Sequence, residues 1–271
     1  MAIITKVAAQ KRPGRYNIFL DEQYAFSVSE KTLAEYVLLK GKSLTQEQIE
    51  EIRQYDADSK ASDLAARYLS YEPRTIFEVM QYLIKREVST ESANNAINEL
   101  SELGYLDDER YCELFIKNDL AVGNDGPRVL NKKLAGKGVA PEIINQALAE
   151  VDQADWLQVA VRLLKSMRQQ LGRYSERELK QKINNKLLSH GFSTNLTEDV
   201  IQELDLGMDD EKQLEALKMQ GIKAYKRFKR YTGADRAMRI KRYLFSHGFS
   251  SSEIDLFLNG ELIDLDELDE Y

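Results

Sequence analysis

A chain of 271 residues, 43% hydrophobic and 31% charged with a formal net charge of −7, has the composition of a soluble protein rich in amphipathic helices rather than of a disordered or membrane one. No apolar run approaches the roughly 20 residues of a membrane span, and Met1-Ala-Ile-Ile-Thr-Lys-Val lacks the apolar stretch of an export signal. Cys112 is the single cysteine, so an intramolecular disulfide is excluded and a reducing cytoplasm is expected.

The first residues read as β structure. Arg15-Tyr-Asn-Ile-Phe-Leu and Gln23-Tyr-Ala-Phe-Ser-Val are aromatic and β-branched runs separated by Asp21-Glu22, the spacing of a hairpin, and residues 5–9 suit a third strand. Two short helices follow, the second opened by Thr45-Gln-Glu-Gln48 with the spacing of a capping box. This small β-plus-helix module is taken to span 1–58.

From Ser59 onward the chain repeats itself. Lys85-Arg-Glu-Val-Ser-Thr, Gly136-Lys-Gly-Val-Ala-Pro, Ser189-His-Gly-Phe-Ser-Thr and Ser246-His-Gly-Phe-Ser-Ser align on the anchors Val88, Val139, Phe192 and Phe249. By subtraction these lie 51, 53 and 57 residues apart. Five positions before each anchor stands Leu83, Leu134, Leu187 or Leu244; one helical turn earlier stands Val79, Leu130, Ile183 or Ile240. Ile97, Leu148, Ile201 and Leu258 follow nine positions after the anchors, in a further helix. A helix that ends on Gly138, Gly191 or Gly248 explains the pattern, because glycine takes the left-handed closing position at little cost. Glu87 replaces that glycine in the first repeat, so a different turn is expected there. Ser175 with Glu178 and Ser250 with Glu253 have capping-box spacing, and Pro141 suits a first helical turn.

A third amphipathic helix precedes each pair, over 61–71, 108–121, 154–171 and 211–231. The fold class expected is therefore mainly α: three-helix, helix-turn-helix-like repeats at 59–107, 108–153, 154–207 and 208–271, stacked in an extended curved array.

Little in the chain suggests catalysis. His190 and His247 precede helix-ending glycines and have no ligand-spaced partners, so each reads as a histidine at a helix C-terminus. Cys112 reads as a small core residue. Asp107 and Asp108 point apart as neighbours and suit helix capping better than acid–base work. No phosphate loop, dinucleotide fingerprint or nucleophile elbow is present, and no cofactor or metal is expected.

Charge is distributed unevenly. Lys223, Lys226, Arg227, Lys229, Arg230, Arg236, Arg239, Lys241 and Arg242 are opposed within their stretch by Asp235 alone. Glu253, Asp255, Glu261, Asp264, Asp266, Glu267, Asp269 and Glu270 then close the chain without a base. Leu214, Leu217, Gly221, Tyr225 and Phe228 share the opposite helix face, which makes the aromatics core residues and the bases a candidate surface for a polyanion or an acidic protein. Arg74, Lys85, Lys132 and Lys133 are secondary candidates.

Three stretches resemble the RecX family of RecA-recombinase regulators: Tyr68-Leu-Ser-Tyr-Glu-Pro-Arg-Thr, Leu103-Gly-Tyr-Leu-Asp-Asp-Glu-Arg-Tyr-Cys, and Lys132-Lys-Leu-Ala-Gly-Lys-Gly-Val. Arg15-Tyr-Asn-Ile-Phe-Leu-Asp and Leu39-Lys-Gly-Lys-Ser-Leu-Thr are similar to the N-terminally longer members. The resemblance implies a cytoplasmic, monomeric, non-enzymatic modulator. Its implied partners are the RecA filament and the single-stranded DNA within it, without sequence preference, and its implied effect is to restrain RecA's ATPase, strand-exchange and coprotease activities. The alternative is a stand-alone nucleic-acid-binding protein or transcription factor built from tandem helix-turn-helix-like units.

Overall fold

The computed structural model describes residues 1–11, 13–265 and 268, and the chain divides into two compact units. The first comprises Met1–Leu114 with Leu134–Ile144, the second Phe115–Lys133 with Asn145–Tyr271.

The first unit opens on a four-stranded antiparallel sheet of order β3-β2-β1-β4. Its strands are β1 (Ala2–Ala9), β2 (Arg15–Leu20), β3 (Gln23–Ser29) and β4 (Ser43–Leu44). Leu20 pairs with Gln23 across Asp21 and Glu22, whose φ values of 48° and 70° are those of a type I′ turn that matches the twist of the strands it joins. The strand expected over 5–9 begins earlier, at Ala2, where it pairs with β4. Ile4, Ile18, Phe26 and Val28 point into a core closed by Leu38, Leu44, Ile49 and Ile52. A buried carboxylate, Asp56, ties this sheet to the helices. It accepts from the Ser29 amide at 2.6 Å, the Thr32 hydroxyl at 2.9 Å and the Arg15 guanidinium at 2.9 Å, which offsets the cost of removing its charge from water.

Three helices differ in extent from expectation. After α1 (Glu30–Glu35), a single 24-residue helix, α2 (Gln46–Leu69), replaces the short helix at Thr45 and the separate one expected over 61–71. The division placed at 58–59 therefore falls inside a continuous helix. Ile49, Ile52 and Asp56 serve the sheet, whereas Ala61 and Ala65 serve the helices that follow. The Thr45–Gln48 capping box is closed in both directions.

α3 (Ile76–Ile84) and α4 (Thr90–Glu102) pack on the second half of α2. Next come α5 (Asp108–Val122), α6 (Pro127–Gly136) and α7 (Pro141–Ala149), with Pro141 at its first position. α8 (Gln153–Leu164), α9 (Glu176–Ser189) and α10 (Thr197–Glu203) follow in the same order, then α11 (Asp210–Arg227), α12 (Gly233–Ser246) and α13 (Ser251–Leu258). The helix expected over 154–171 changes to 3₁₀ geometry at Lys165–Gln170. That expected to reach Tyr231 stops at Arg227, where Lys229 and Tyr231 N–H groups close tight i→i−3 bonds to the Lys226 and Phe228 carbonyls.

The repeat has a physical basis. Leu83, Leu134, Leu187 and Leu244 are fully buried, and the carbonyl of each accepts from the amide of the anchor five residues on, at 3.2, 3.3, 3.0 and 3.2 Å. This is the 6→1 bond of a Schellman closure. Of the positions expected in the next helix, Leu148, Ile201 and Leu258 are only half-buried. The deeper stripe starts five residues after the anchor, at Ala93, Ile144, Thr197 and Ile254, each at most 3% exposed. Glu87 also departs from expectation: at φ 62° it closes the same bond as the glycines.

The reason lies in how successive groups of helices join. In the first unit the Thr75 hydroxyl donates to the Lys137 carbonyl at 2.6 Å, and the Lys137 ammonium meets Glu78 at 2.8 Å. In the second unit the Gly126 and Arg128 amides donate to the carbonyls of His190 and Gly191 at 2.7 and 3.2 Å. There, too, the Ser175 hydroxyl donates to the His247 carbonyl at 2.5 Å, and the His247 Nδ1 lies 2.8 Å from Glu178. In each case the opening turn of one second helix (α3, α6, α9) meets the closing turn of the next (α6, α9, α12). A Cβ on Gly138, Gly191 or Gly248 would stand 2.3 Å from Phe77, 2.6 Å from Val129 or 2.6 Å from Ser175. Glu87 is exposed and, among the described residues, no earlier group closes on it, so a side chain fits there.

Two substitutions test this. Gly248→Ala should lower stability by at least about 2 kcal/mol, because about 1–2 kcal/mol of left-handed backbone cost adds to the clash with Ser175. Glu87→Gly relieves the same backbone cost and should leave stability unchanged or raise it by up to about 1 kcal/mol. Urea unfolding of the two variants provides the comparison.

Candidate nucleic-acid interface

The nine bases from Lys223 to Arg242 all lie in the second unit, on α11, the turn after it and α12. Ala216, Leu217, Ala224 and Tyr225 of α11 pack with Ile240 and Leu244 of α12 and with Ile254 and Phe257 of α13. That packing uses one face of each helix and leaves most of the cations outside. Lys226 and Arg227 also sit in the last turn of α11, where they complement the helix dipole.

Sequence reasoning treats the nine alike, but the structure divides them. The Arg236 guanidinium lies 3.5 Å over the Tyr225 ring and donates to the Tyr225 carbonyl at 3.2 Å. Arg239 lies 3.8 Å over Tyr231 and pairs with Asp235 at 3.0 Å. Lys241 pairs with Asp255 at 2.9 Å, and Arg227 rests between the Phe228 and Tyr243 rings at 5.7 and 5.6 Å. Lys223, Lys226, Lys229, Arg230 and Arg242 are exposed and have no ion-pair partner among the described residues. These five are the ones whose charge is open to a polyanion. The aromatics, as expected, belong to the core side: Tyr225 is 7% exposed, and the Tyr243 hydroxyl donates to buried Gln220.

Leu262, Ile263, Leu265 and Leu268 of the acidic tail pack against the core of the last three helices. Asp266, Glu267, Asp269 and Glu270 lie outside the described residues. Because the tail contributes apolar side chains to the core, its deletion changes stability as well as charge.

The secondary candidates are dispersed. Arg74 is held by Glu72 and by the Tyr68 ring at 4.6 Å, and Lys133 is paired with Asp125. Lys85, at the end of α3, and Lys132, on α6, are exposed.

The remaining chemical candidates take structural roles. His190 and His247 are the C-cap residues of α9 and α12. Cys112 is buried, and burial pushes its thiol pKa up. Asp107 accepts the Arg110 amide at 2.9 Å and so opens α5, while Asp108 reaches across to the Ile76 amide at 2.9 Å and opens α3. Burial raises the Asp108 pKa despite that bond. Burial also acts to raise Glu78, but hydrogen bonds from Lys137 and Thr75 outweigh it and hold its carboxyl below the ordinary value. The Ser175–Glu178 capping box closes in one direction only, because the Glu178 side chain turns to His247.

Two features escaped sequence reasoning. Thr75 and Glu78 form a complete capping box, and their Thr-x-x-Glu spacing is the signal that marks it. Arg162 donates to the carbonyls of Asp119, Leu120, Ala121 and Gly123 at the end of α5, a contact across about 40 residues that no local pattern announces. Among the described residues no three His, Cys, Asp or Glu side chains are placed to hold a metal ion, and no helix is long and apolar enough to cross a membrane.

Family models cover most of the chain. One described as the regulatory protein RecX N-terminal domain matches residues 2–45. Those of the first, second and third RecX three-helix domains match 61–100, 107–148 and 210–258. The chain is 55% identical to a regulatory protein RecX of Lactobacillus delbrueckii subsp. bulgaricus, over 100% of both chains. It is 36% identical to a regulatory protein RecX of Bacillus licheniformis, over 96% of this chain and 99% of the relative. A crystal structure of regulatory protein RecX superposes on 76% of this chain and 100% of its own with a TM-score of 0.61 and 29% identity. The RecX crystal structure from Lactobacillus salivarius covers 56% of this chain and 99% of its own, with a TM-score of 0.53 and 30% identity. Sheet module, three-helix groups and similarity along the whole length lead to one conclusion: the chain belongs to the RecX family of regulatory proteins, a family that is not enzymatic.

Proposed function

We propose that this protein binds RecA–DNA filaments and restrains the ATPase, strand-exchange and coprotease activities of RecA, acting in the cytoplasm as a monomer. Membership of the RecX family carries the reading. Its working part is four successive three-helix groups, with the last supplying a sequence-independent contact to the single-stranded DNA of the filament. Lys223, Lys226, Lys229, Arg230 and Arg242 support that assignment, since exposed cations without internal partners are the groups that phosphates attract.

Substoichiometric protein is expected to slow the RecA ATPase on single-stranded DNA and to destabilise preformed filaments. An ATPase titration tests this. Unchanged RecA turnover, together with tight binding to one duplex sequence, would replace the reading with that of a transcription factor.

Replacing Lys229, Arg230 and Arg242, three of the open cations, by glutamate alters exposed positions and leaves Leu217 and Tyr225 packed. The variant should melt near the wild-type temperature but bind filaments more weakly, with a log–log salt slope shallower by roughly one for each phosphate that is no longer neutralised. Titrations at several salt concentrations measure both quantities.

A further inference from the structure

A groove of about 470 Å³ lies in the first unit, where the turn after α2 faces the start of α5. Tyr71, Tyr105 and Leu114 line it and are 78%, 69% and 50% exposed. The backbone fixes the position of Tyr105. Gly104 at φ 74° turns the chain, and the Tyr105 amide donates to the Leu100 carbonyl at 2.8 Å. Arg110 stands in the first turn of α5, whose end Asp107 caps. Arg74, on the other wall, has a buried Nε with no acceptor among the described residues. That nitrogen is out of reach of an incoming group, whereas the Arg110 guanidinium is exposed and has no ion-pair partner among the described residues.

The electrostatics argue for a protein occupant. Arg74 and Arg110 are matched within the groove by Glu72 and Asp107, and Arg74 is already paired with Glu72. A phosphodiester chain finds no net positive charge among these groups, unlike on α11 and α12. Tyrosine and arginine around an apolar floor are instead the side chains that dominate the energetics of protein–protein contacts.

We propose that this groove is a protein-docking site that receives a short segment of the recombinase. That segment carries an apolar side chain to cover Tyr71, Tyr105 and Leu114, and a carbonyl or carboxylate oxygen for the exposed Arg110 guanidinium. The inference rests on the functional reading above and divides its labour: protein contact in the first unit, DNA contact on α11 and α12 of the second.

The test compares binding to RecA filaments and to bare oligo-dT across a range of salt concentrations. The double variant Tyr71→Ala, Tyr105→Ala changes two exposed rings outside the helices and should fold normally, which circular dichroism checks. It is expected to bind filaments at least about tenfold more weakly at every salt concentration, a typical effect for a central interface residue, with an unchanged salt slope and unchanged oligo-dT affinity. The conservative pair Tyr71→Phe, Tyr105→Phe keeps the apolar faces and should retain binding. Unchanged filament affinity in the alanine variant would overturn the proposal. So would a parallel loss of oligo-dT affinity, which would make the groove a base-stacking site. Wild-type protein that bound no filament would defeat the functional reading itself, and the groove's partner with it.

Discussion

Helix ends govern this structure. Every α-helix leaves N–H groups at its start and carbonyls at its finish that need partners, and a three-helix group is too small to supply them and a sizeable core at once. Here the opening turn of one second helix meets the closing turn of the next: Thr75 with Lys137, Gly126 with His190, Ser175 with His247. Each joint removes unpaired backbone groups and brings two backbones so close that a Cβ at the closing residue has no room. The left-handed Schellman closure makes that approach possible.

Much of this was legible in the chain because its causes are local. A buried leucine, a left-handed closing residue and an apolar anchor all fall within six residues, so they recur together and reveal the groups. The hairpin at Asp21-Glu22 and the capping boxes at Thr45 and Ser250 are local in the same sense. The joints were not legible, since their partners stand about 60 to 70 residues apart and nothing in either segment names the other. Glu87 shows the consequence. Read locally, it demands a different turn; read with the joints, the missing glycine marks a closure onto which no earlier group of the described residues packs. The continuity of α2 was hidden because its buried face changes from aliphatic at Ile49 and Ile52 to small and polar at Asp56, Ser59 and Ala61, which breaks the hydrophobic period that length estimates follow.

The candidate surface shows the same division. That α11 and α12 carry an exposed cationic face followed from composition and periodicity. Which cations are open did not, because Arg236, Arg239 and Lys241 take partners that only the folded chain brings near: the Tyr225 and Tyr231 rings and Asp255. Rings that bind arginines in this way stabilise the last three helices and orient their surface together. The two histidines follow the same rule. A helix C-terminus predicts their placement, but the Glu178 carboxylate that meets His247 comes from the joint.

The joint at Gly126 offers the most direct measurement, because its amide belongs to a short irregular segment between α5 and α6 that would otherwise exchange freely with water. Native-state hydrogen exchange reads that amide individually. If its 2.7 Å bond to the His190 carbonyl holds the groups of helices together, the Gly126 amide should exchange only with the cooperative opening of the second unit, as slowly as the amides in the middle of α9. Exchange at the rate of an exposed loop, while α9 stays protected, would contradict the view that these helix-end joints hold the fold together.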